Sequence, residues 1–233
     1  MIDKFRIMIM NNKTLKYLLR PLYKTFQKPF QIKQNYIFRR NGLEALEKLE
    51  SAFSRHDILF WLEFGTLLGA IRENNFIKHD LDIDIGLFLD NDTLLIEEIM
   101  IDSGFVKVQQ IEIEDGTYGM EQSYLYKGVT IDLFYFTKRE SSIYCHVFTT
   151  LYDESWSNTK SNNLGLIPYE HDFPYKGFKY IEFLGMKVRV PLNEHEHLIA
   201  QYGENYMIKN AKWNPYKMAT NKTILEFKKG YLK

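Results

Sequence analysis

The segment from His79 to Asp90, with the sequence HDLDIDIGLFLD, restricts the fold more than any other because acidic and aliphatic residues alternate along it. In a β-strand, side chains at positions i, i+2 and i+4 lie on the same face of the sheet. The alternation therefore predicts a strand that directs Asp80, Asp82 and Asp84 to one face and its leucine and isoleucine side chains into the core.

The three aspartates of this segment have two interpretations. Alternating acidic and aliphatic residues also describe a solvent-facing edge strand that has no further function. Carboxylates spaced by roughly 6–7 Å, however, raise one another's pKa unless a cation lies among them. Because oxygen ligands without His or Cys favour Mg²⁺ or Mn²⁺, the second interpretation is a site for one of these ions.

Three further features favour the metal site. Asp132 is the only charged residue in the apolar run VTIDLFYF, where an ionised carboxylate is costly unless it is paired or bound to a metal. Shortly before the aspartates, the segment FGTLLGAIR predicts a short helix in which Gly65 permits a tight turn and Thr66 is a candidate N-cap. A helix start offers free N–H groups to a phosphate, and Arg72 in the same helix can donate to phosphate oxygens. Together these features predict a site for phosphoryl transfer.

The remaining periodic segments predict helices around a mostly antiparallel or mixed sheet, which is an α+β fold. Helical spacing of apolar residues predicts helices over residues 41–55, 92–102 and 193–203. Runs of β-branched and aromatic residues between these helices predict a meander of strands, and Gly185 marks the turn of a hairpin. Residues 152–174 show no clear period and are predicted to form an irregular loop.

Residues 1–40 differ in charge from the rest of the chain. They contain ten of the 30 Lys and Arg residues but only one of the 30 acidic residues. Within them, KTLKYLLRPLYKTF is basic and amphipathic, although Pro21 is expected to kink a helix there. The segment either lies on an anionic membrane surface or packs on the body of the protein with solvated lysines. We expect residues 1–40 to be an extension of a catalytic domain that spans residues 41–233.

Composition excludes several other classes of protein. Cys145 is the only cysteine, so neither a disulfide framework nor a cysteine-bound zinc site can form within one chain, and a reducing cytoplasm fits best. The formal net charge is zero, so we expect no nucleic acid as a partner. No apolar segment has the length of a signal-peptide core or of a membrane span.

The block FWLEFGTLLGAIRENNFIKHDLDIDIGLFL resembles the LicD and fukutin family, whose mark is a Gly-Thr-Leu-Leu-Gly helix, a following arginine and a run of alternating aspartates. The resemblance continues through GVTIDLFYF and FLGMKVRVPLNEHEHLIAQYGENYMIKNAKW, and it covers about residues 60–213. Many bacterial members have Trp-Asp-Asp-Asp before the final Ile-Asp, whereas this chain has His79-Asp80-Leu81-Asp82.

The resemblance implies a nucleotidyltransferase-type fold and a characteristic reaction. Members transfer a phosphorylated alcohol, such as phosphocholine or ribitol phosphate, from a CDP-activated donor to a sugar hydroxyl and release CMP. The expected acceptor is a glycan or a lipid-linked oligosaccharide that belongs to a capsule, a lipopolysaccharide or a teichoic acid. The expected location is the cytoplasm, with residues 1–35 docked on the inner face of the cell membrane.

Matching positions transfer the family's site residues to this chain. Asp82 and Asp84 would bind Mg²⁺ or Mn²⁺, Asp132 would be the third carboxylate, and Asp80 would be a further ligand. We expect Asp132 to orient or deprotonate the acceptor hydroxyl as well. The residues expected to contact the phosphates of the CDP-alcohol are Gly65, Thr66 and Arg72. His79 flanks the acidic strand and is a candidate contact for the donor or the acceptor.

Two other functions stay open at this stage. The same aspartates would serve a nucleotidyltransferase that moves a nucleoside monophosphate from a nucleoside triphosphate to a hydroxyl. The alternative that is not an enzyme is a catalytically silent scaffold protein in glycan assembly. A metal-dependent glycosyltransferase is disfavoured because no parallel nucleotide-binding half precedes the aspartates.

The histidines of the C-terminal helix do not predict a second metal site. His195 and His197 are two residues apart, so on a helix their side chains point about 200° apart and cannot bind one ion. We therefore predict that the segment NEHEH forms a solvated helix face.

Overall fold

The computed structural model describes the backbone of residues 13–151, 154–210 and 213–233, and it describes no side chain of residues 13–30 or of Pro215. Most of the predicted membrane-binding segment, residues 1–35, therefore lies outside the described side chains. Within the described residues, no helix is long and apolar enough to span a bilayer.

Helix α1 (Lys13–Ser54) is a single helix of 42 residues, and it includes Pro21. The helix predicted over residues 41–55 is therefore the last part of α1 rather than a separate element. Leu46, Leu49 and Phe53 are buried in the main core, as their spacing predicts. Phe38, from the predicted extension, is also buried there. The domain boundary at residue 40 stays a prediction.

Nine of the described strands form one mixed sheet, which confirms the predicted α+β class. Its central parallel pair is β2 and β5, whereas the other paired strands of the sheet are antiparallel. Its strands are β1 (Phe60–Leu62), β2 (Asp82–Phe88), β3 (Val106–Ile113), β4 (Gly119–Tyr126), β5 (Val129–Lys138), β6 (Ser142–Thr150), β7 (Leu166–Pro174), β10 (Lys222–Ile224) and β11 (Tyr231–Leu232). The hairpin predicted to turn at Gly185 is confirmed as β8 (Phe178–Phe183) and β9 (Met186–Pro191).

The other described helices flank this sheet. They are α2 (Phe64–Glu73), α3 (Thr93–Asp102), α4 (Trp156–Asn162), α5 (Glu194–Tyr202) and the short α6 (Pro215–Met218). The prediction of α3 is confirmed: the side chain of Asp92 accepts hydrogen bonds from the N–H groups of Leu94 and Leu95 and so caps the helix.

The prediction of an irregular loop over residues 152–174 is wrong, because the segment contains α4 and β7. Ser155 caps α4 by accepting a hydrogen bond from the Asn158 N–H. β7 pairs with β6 along nine residue pairs. Prolines and charged residues in LIPYEHDFP obscure its alternation, but the backbone pairing with β6 compensates for the weak local preference.

The core lies between α1, α3 and one face of the central strands. Ile83 and Ile85 of β2 and Ile131 and Leu133 of β5 are all fully buried on that face. Burying such a side chain contributes about 1.5–3 kcal/mol. The opposite face carries Asp82 and Asp84, so the predicted alternation is confirmed for residues 82–85. The prediction that the strand also carries Asp80 is wrong, because β2 begins at Asp82.

Candidate metal centre

The parallel pairing of β2 and β5 brings the aspartates of two distant segments together. Asp84 lies directly opposite Asp132, and Asp82 lies opposite Thr130. Carboxylate oxygens of Asp82, Asp84 and Asp132 all lie within 4.8 Å of one another. These three residues are therefore positioned to bind one cation.

The carboxylates of this cluster carry a common electrostatic signature. Burial raises the pKa of Asp132 to about 7, with a further increase from the charge of Asp82, whereas a hydrogen bond from Ser123 lowers it. Burial also raises the pKa of Asp82, and it raises that of Asp84 well above its usual value, with Asp82, Asp132 and Asp80 adding to the effect on Asp84. A cation bound among these carboxylates would stabilise their ionised forms. Its oxygen-only ligands fit Mg²⁺ or Mn²⁺.

Helix α2 begins beside Asp84 and contacts it with two residues. The N–H of Gly65 donates to Asp84 Oδ2 at 3.0 Å, and the N–H of Asp84 donates to Thr66 Oγ1 at 2.9 Å. The N-cap of α2 is Glu63, whose side chain accepts from the Phe64 N–H, so the prediction of Thr66 as N-cap is wrong. Thr66 lies inside the first turn because the helix begins three residues earlier than predicted.

Gly65 is required by the close approach of two carboxylates. A Cβ atom at this position would lie 3.0 Å from Asp80 Oδ2 and 3.3 Å from Asp84 Oδ2. Any larger residue would therefore have to displace one of these side chains. Contact of Gly65 and Thr66 with a donor phosphate stays a prediction.

Asp80 precedes β2 and lies next to Gly65. Burial raises its pKa to about 7, and Asp82 adds to the increase, whereas the charge of Arg72 lowers it. Asp80 does not belong to the group of carboxylates whose oxygens lie within 4.8 Å. Its role as a metal ligand stays a prediction, as does a substrate contact of His79, whose side chain is exposed.

Arg72 is held by protein contacts. Its Nε and Nη2 atoms donate to Glu73 Oε1 at 3.2 and 2.8 Å, and Nη1 donates to the carbonyl of Tyr206 at 3.2 Å. Lys209 binds the other oxygen of Glu73 at 2.8 Å. Arg72 therefore has a fixed orientation, and its predicted phosphate contact depends on the N–H groups that these bonds leave.

Two residues of β4 that the sequence analysis missed also face the aspartates. Ser123 lies opposite Asp132, and Glu121 lies opposite Phe134, in the antiparallel pairing of β4 with β5. Burial raises the pKa of Glu121 to about 8, and the charge of Asp132 adds to the increase. Glu121 and Ser123 alternate within GMEQSYLYK, but only the register between the strands shows that they join the site.

The prediction of a solvated NEHEH face is wrong for part of α5. Glu194 and His197 are buried, whereas His195 and Glu196 are exposed. Glu194 binds Lys179 at 2.6 Å, and His197 Nε2 lies 2.8 Å from Glu63 Oε1. Because α5 packs against β7 and α2, one side of the polar segment turns inward and finds partners there.

Comparison with known proteins matches residues 57–193 to the family described as LicD/FKTN/FKRP, nucleotidyltransferase domain. The match includes the three clustered aspartates and all of α2. The chain is 27% identical to human ribitol-5-phosphate transferase FKTN over 179 residues, which is 76% of this chain and 35% of FKTN. The FKTN of Macaca fascicularis gives the same values.

A bacterial relative covers a similar part of the chain. An uncharacterized protein of Rickettsia prowazekii (strain Madrid E) is 27% identical over 177 residues, which is 72% of this chain and 58% of that protein. The chain thus spans about a third of the length of the FKTN proteins that it matches.

Proposed function

Because the chain belongs to the LicD/FKTN/FKRP nucleotidyltransferase-domain family, we propose that it transfers a phospho-alcohol from a CDP-activated donor to a sugar hydroxyl of a cell-surface glycan and releases CMP. The observation that carries the proposal is the cluster of Asp82, Asp84 and Asp132. The relation to ribitol-5-phosphate transferase FKTN supports a phosphorylated alcohol as the transferred group.

We assign Asp82, Asp84 and Asp132 as the residues that hold the metal ion, Mg²⁺ or Mn²⁺. When bound, the ion neutralises negative charge on the donor pyrophosphate and on the departing CMP. The chain fixes Asp84 from both its main chain and its side chain, through Thr66 and Gly65.

We assign the handling of the acceptor hydroxyl to Asp132. The oxygen atom of the acceptor hydroxyl bonds to the phosphorus of the transferred group, and the bond from that phosphorus to the bridging oxygen of CMP breaks. The hydroxyl proton passes to the Asp132 carboxylate, which acts as the general base. Ser123, which lies opposite Asp132 in the pairing of β4 with β5, donates a hydrogen bond to this carboxylate.

The donor phosphates are assigned to the start of α2 and to Arg72. A helix N-terminus carries partial positive charge and favours an anion. Arg72 lies in the last turn of the same short helix, and its charge acts on Asp80. Gly65 and Thr66 are the residues of the first turn that face the carboxylates.

The enzyme is assigned to the cytoplasmic face of a membrane, where residues 1–35 would bind anionic lipid headgroups. The support is the excess of Lys and Arg over acidic residues in this segment. Removal of residues 1–30 tests the assignment and spares Asn35, whose side chain donates to the carbonyl of Lys78 at 2.7 Å. The truncated protein should be released from anionic vesicles, and unchanged binding would refute the assignment.

A donor screen tests the proposed reaction. CDP-choline, CDP-ribitol, CDP-glycerol and CDP-ethanolamine are each added with Mg²⁺, and thermal unfolding is followed. The true donor at a hundred times its dissociation constant stabilises the protein by about 2.7 kcal/mol. Release of CMP in the presence of the acceptor then supports the proposal. Release of pyrophosphate from a nucleoside triphosphate would instead identify a nucleotidyltransferase, and a scaffold would bind neither Mg²⁺ nor any CDP-alcohol.

A further inference from the structure

A buried set of hydrogen bonds supports the helix start that contacts Asp84. Its members, which we call the Glu63 network, are the side chains of Glu63, His197 and Trp61. We propose that Glu63 and His197 are positioning residues, which hold Gly65 and Asp84 in the geometry that binds the metal ion. This inference rests on the proposed function in one respect, namely that Asp82, Asp84 and Asp132 bind a metal ion.

The contacts of Glu63 use both of its carboxylate oxygens. Oε1 lies 2.8 Å from His197 Nε2 and accepts from the Phe64 N–H at 3.2 Å. Oε2 accepts from the Trp61 indole N–H at 2.7 Å. Glu63 and His197 are each 1% exposed and Trp61 is fully buried, so water does not compete with these bonds.

The main chain of Glu63 transmits this arrangement to Asp84. The N–H of Glu63 donates to the carbonyl of Asp84 at 3.1 Å. Gly65 and Thr66, which follow within one helical turn, bind the carboxylate and the N–H of the same aspartate. Glu63, Gly65 and Thr66 therefore each form a hydrogen bond with Asp84, and the three bonds together fix its position.

The backbone between Glu63 and Gly65 depends on outside support. Phe64 has a φ of +42°, which is a conformation that residues other than glycine rarely adopt. Such a conformation persists where surrounding contacts determine it. The hydrogen bond from the Phe64 N–H to Glu63 supplies one of these contacts.

His197 connects this support to a distant part of the fold. It lies 134 residues after Glu63 in the chain, and its ring stacks on Phe173 of β7 with centroids 4.2 Å apart. Its Nδ1 atom has no hydrogen-bond partner among the described residues. The orientation of the ring is therefore set by Glu63 and by the stack on Phe173. A shift of α5 would thus move Glu63 and, through it, the metal centre.

Two substitutions separate the hydrogen bond from the stack. His197→Gln keeps an N–H donor for Glu63 but removes the ring, whereas His197→Phe keeps the ring but removes the donor. Loss of a residue that orients a metal ligand typically weakens metal binding by about 10–100-fold. We expect the dissociation constant for Mn²⁺, measured by electron paramagnetic resonance of the free ion, to rise at least about tenfold in His197→Phe and to be recovered largely in His197→Gln.

Leu198→Ala is the matched control. Leu198 is 1% exposed and lies beside His197 in α5, so its truncation loosens the helix but leaves the Glu63 network intact. We expect the Mn²⁺ dissociation constant of this variant to change by less than about threefold at comparable loss of melting temperature. Equal weakening of Mn²⁺ binding in His197→Phe and Leu198→Ala would overturn the proposal, because a general loosening would then explain both.

Amide hydrogen exchange of the metal-free protein provides an independent measurement. The Gly65 N–H should exchange faster in His197→Phe than in wild type or in Leu198→Ala, because its bond to Asp84 is no longer held. Unchanged exchange at Gly65 would refute the positioning role, whatever the activity. Absence of Mn²⁺ binding by the wild type would refute the proposed metal centre instead, and the two failures are thereby distinguished.

Should His197→Phe fail to fold, Glu63→Gln replaces it in both measurements. A glutamine has nearly the same size as glutamate, but its NH₂ group only donates. His197 and Trp61 contact different oxygens of Glu63, so one of them loses its acceptor in this variant. The same increase in Gly65 exchange and the same rise of the Mn²⁺ dissociation constant are expected. Wild-type values in this variant would overturn the proposal.

Discussion

The two faces of β2 and β5 are built by the same backbone but obey different physical demands. On one face, Ile83, Ile85 and Leu133 are fully buried against helices. On the other, Asp82, Asp84 and Asp132 are clustered and half-buried, with raised pKa values. The first face stabilises the fold, whereas the second keeps mutually repelling carboxylates together and so acts against stability. Substitutions on the two faces should therefore change the free energy of unfolding of the metal-free protein in opposite directions.

The largest effect is expected from Asp84→Asn on the polar face. Asparagine keeps the size of the side chain and an acceptor for the Gly65 N–H, but it removes a charged ligand. We expect CMP release with the correct donor and acceptor to fall by about 10³-fold, or roughly 4 kcal/mol. The exposed Asp102→Asn is the control and should retain wild-type activity. Near wild-type activity of Asp84→Asn would show that Asp84 is not a metal ligand.

The next largest effect is expected from Leu133→Ala on the apolar face. Leu133 is fully buried in the main core, so its truncation should lower the free energy of unfolding by about 2–5 kcal/mol. The midpoint of urea denaturation measures this loss. Asp84→Asn should instead leave the midpoint of the metal-free protein unchanged or raise it. A lower midpoint for the aspartate variant would contradict the difference between the faces.

The pH dependence of stability provides a sharper comparison. The pKa of Asp132 is raised in the folded state to about 7, so between about pH 4 and pH 7 the folded protein holds a proton that the unfolded chain has lost. Its contribution to stability is thus greatest below pH 4 and falls as the pH rises to 7. Relative to wild type, metal-free Asp132→Asn should gain on the order of 4 kcal/mol across this range. Urea denaturation at several pH values measures the gain.

Saturating Mg²⁺ is the control for this comparison. When bound, a cation stabilises the ionised carboxylates, so the difference between wild type and Asp132→Asn should shrink or reverse in its presence. A difference in stability that is independent of both pH and Mg²⁺ would show that the pKa of Asp132 is not raised in the folded protein.

Gly65→Ala should have a smaller effect at the site. The added Cβ would lie 3.0 Å from Asp80 Oδ2, so the carboxylates must move, and we expect Mn²⁺ binding to weaken by about tenfold. Gly42→Ala in α1 is the matched helical control, because the nearest atom to its added Cβ lies at 3.5 Å. That variant should bind Mn²⁺ as wild type does, measured by titration calorimetry. Equal affinities for both variants would remove the steric argument for Gly65.

The smallest effect is expected from Glu121→Gln. Glu121 lies on β4 near Asp132 but does not belong to the carboxylates that lie within 4.8 Å of one another. We expect the Mn²⁺ dissociation constant to change by less than about threefold, against at least about tenfold for Asp132→Asn. Weakening of Mn²⁺ binding to the same degree in both variants would make Glu121 a fourth ligand.

The sequence by itself determined which side of each central strand is apolar. The alternation in HDLDIDIGLFLD and VTIDLFYF is a local property, because successive side chains of a strand point to opposite faces whatever the rest of the chain does. The short helix in FGTLLGAIR and the carboxylates Asp82 and Asp84 were predictable from equally local patterns, although the helix begins before Gly65 rather than after it. Residues 152–174 were mispredicted because their local pattern is weak, and β7 is stabilised instead by its pairing with β6, which the sequence does not show.

Only the tertiary structure decided which of these residues meet. The register that places Asp84 opposite Asp132, and Asp132 opposite Ser123, is fixed by packing of whole strands rather than by any neighbouring residue. The contact between Glu63 and His197 joins positions 134 residues apart. The polar pattern of NEHEH predicted that His197 is exposed, whereas it is buried. Side-chain periodicity is set by local geometry, but partners across the fold are chosen by the packing that buries them, so the site had to be seen in three dimensions.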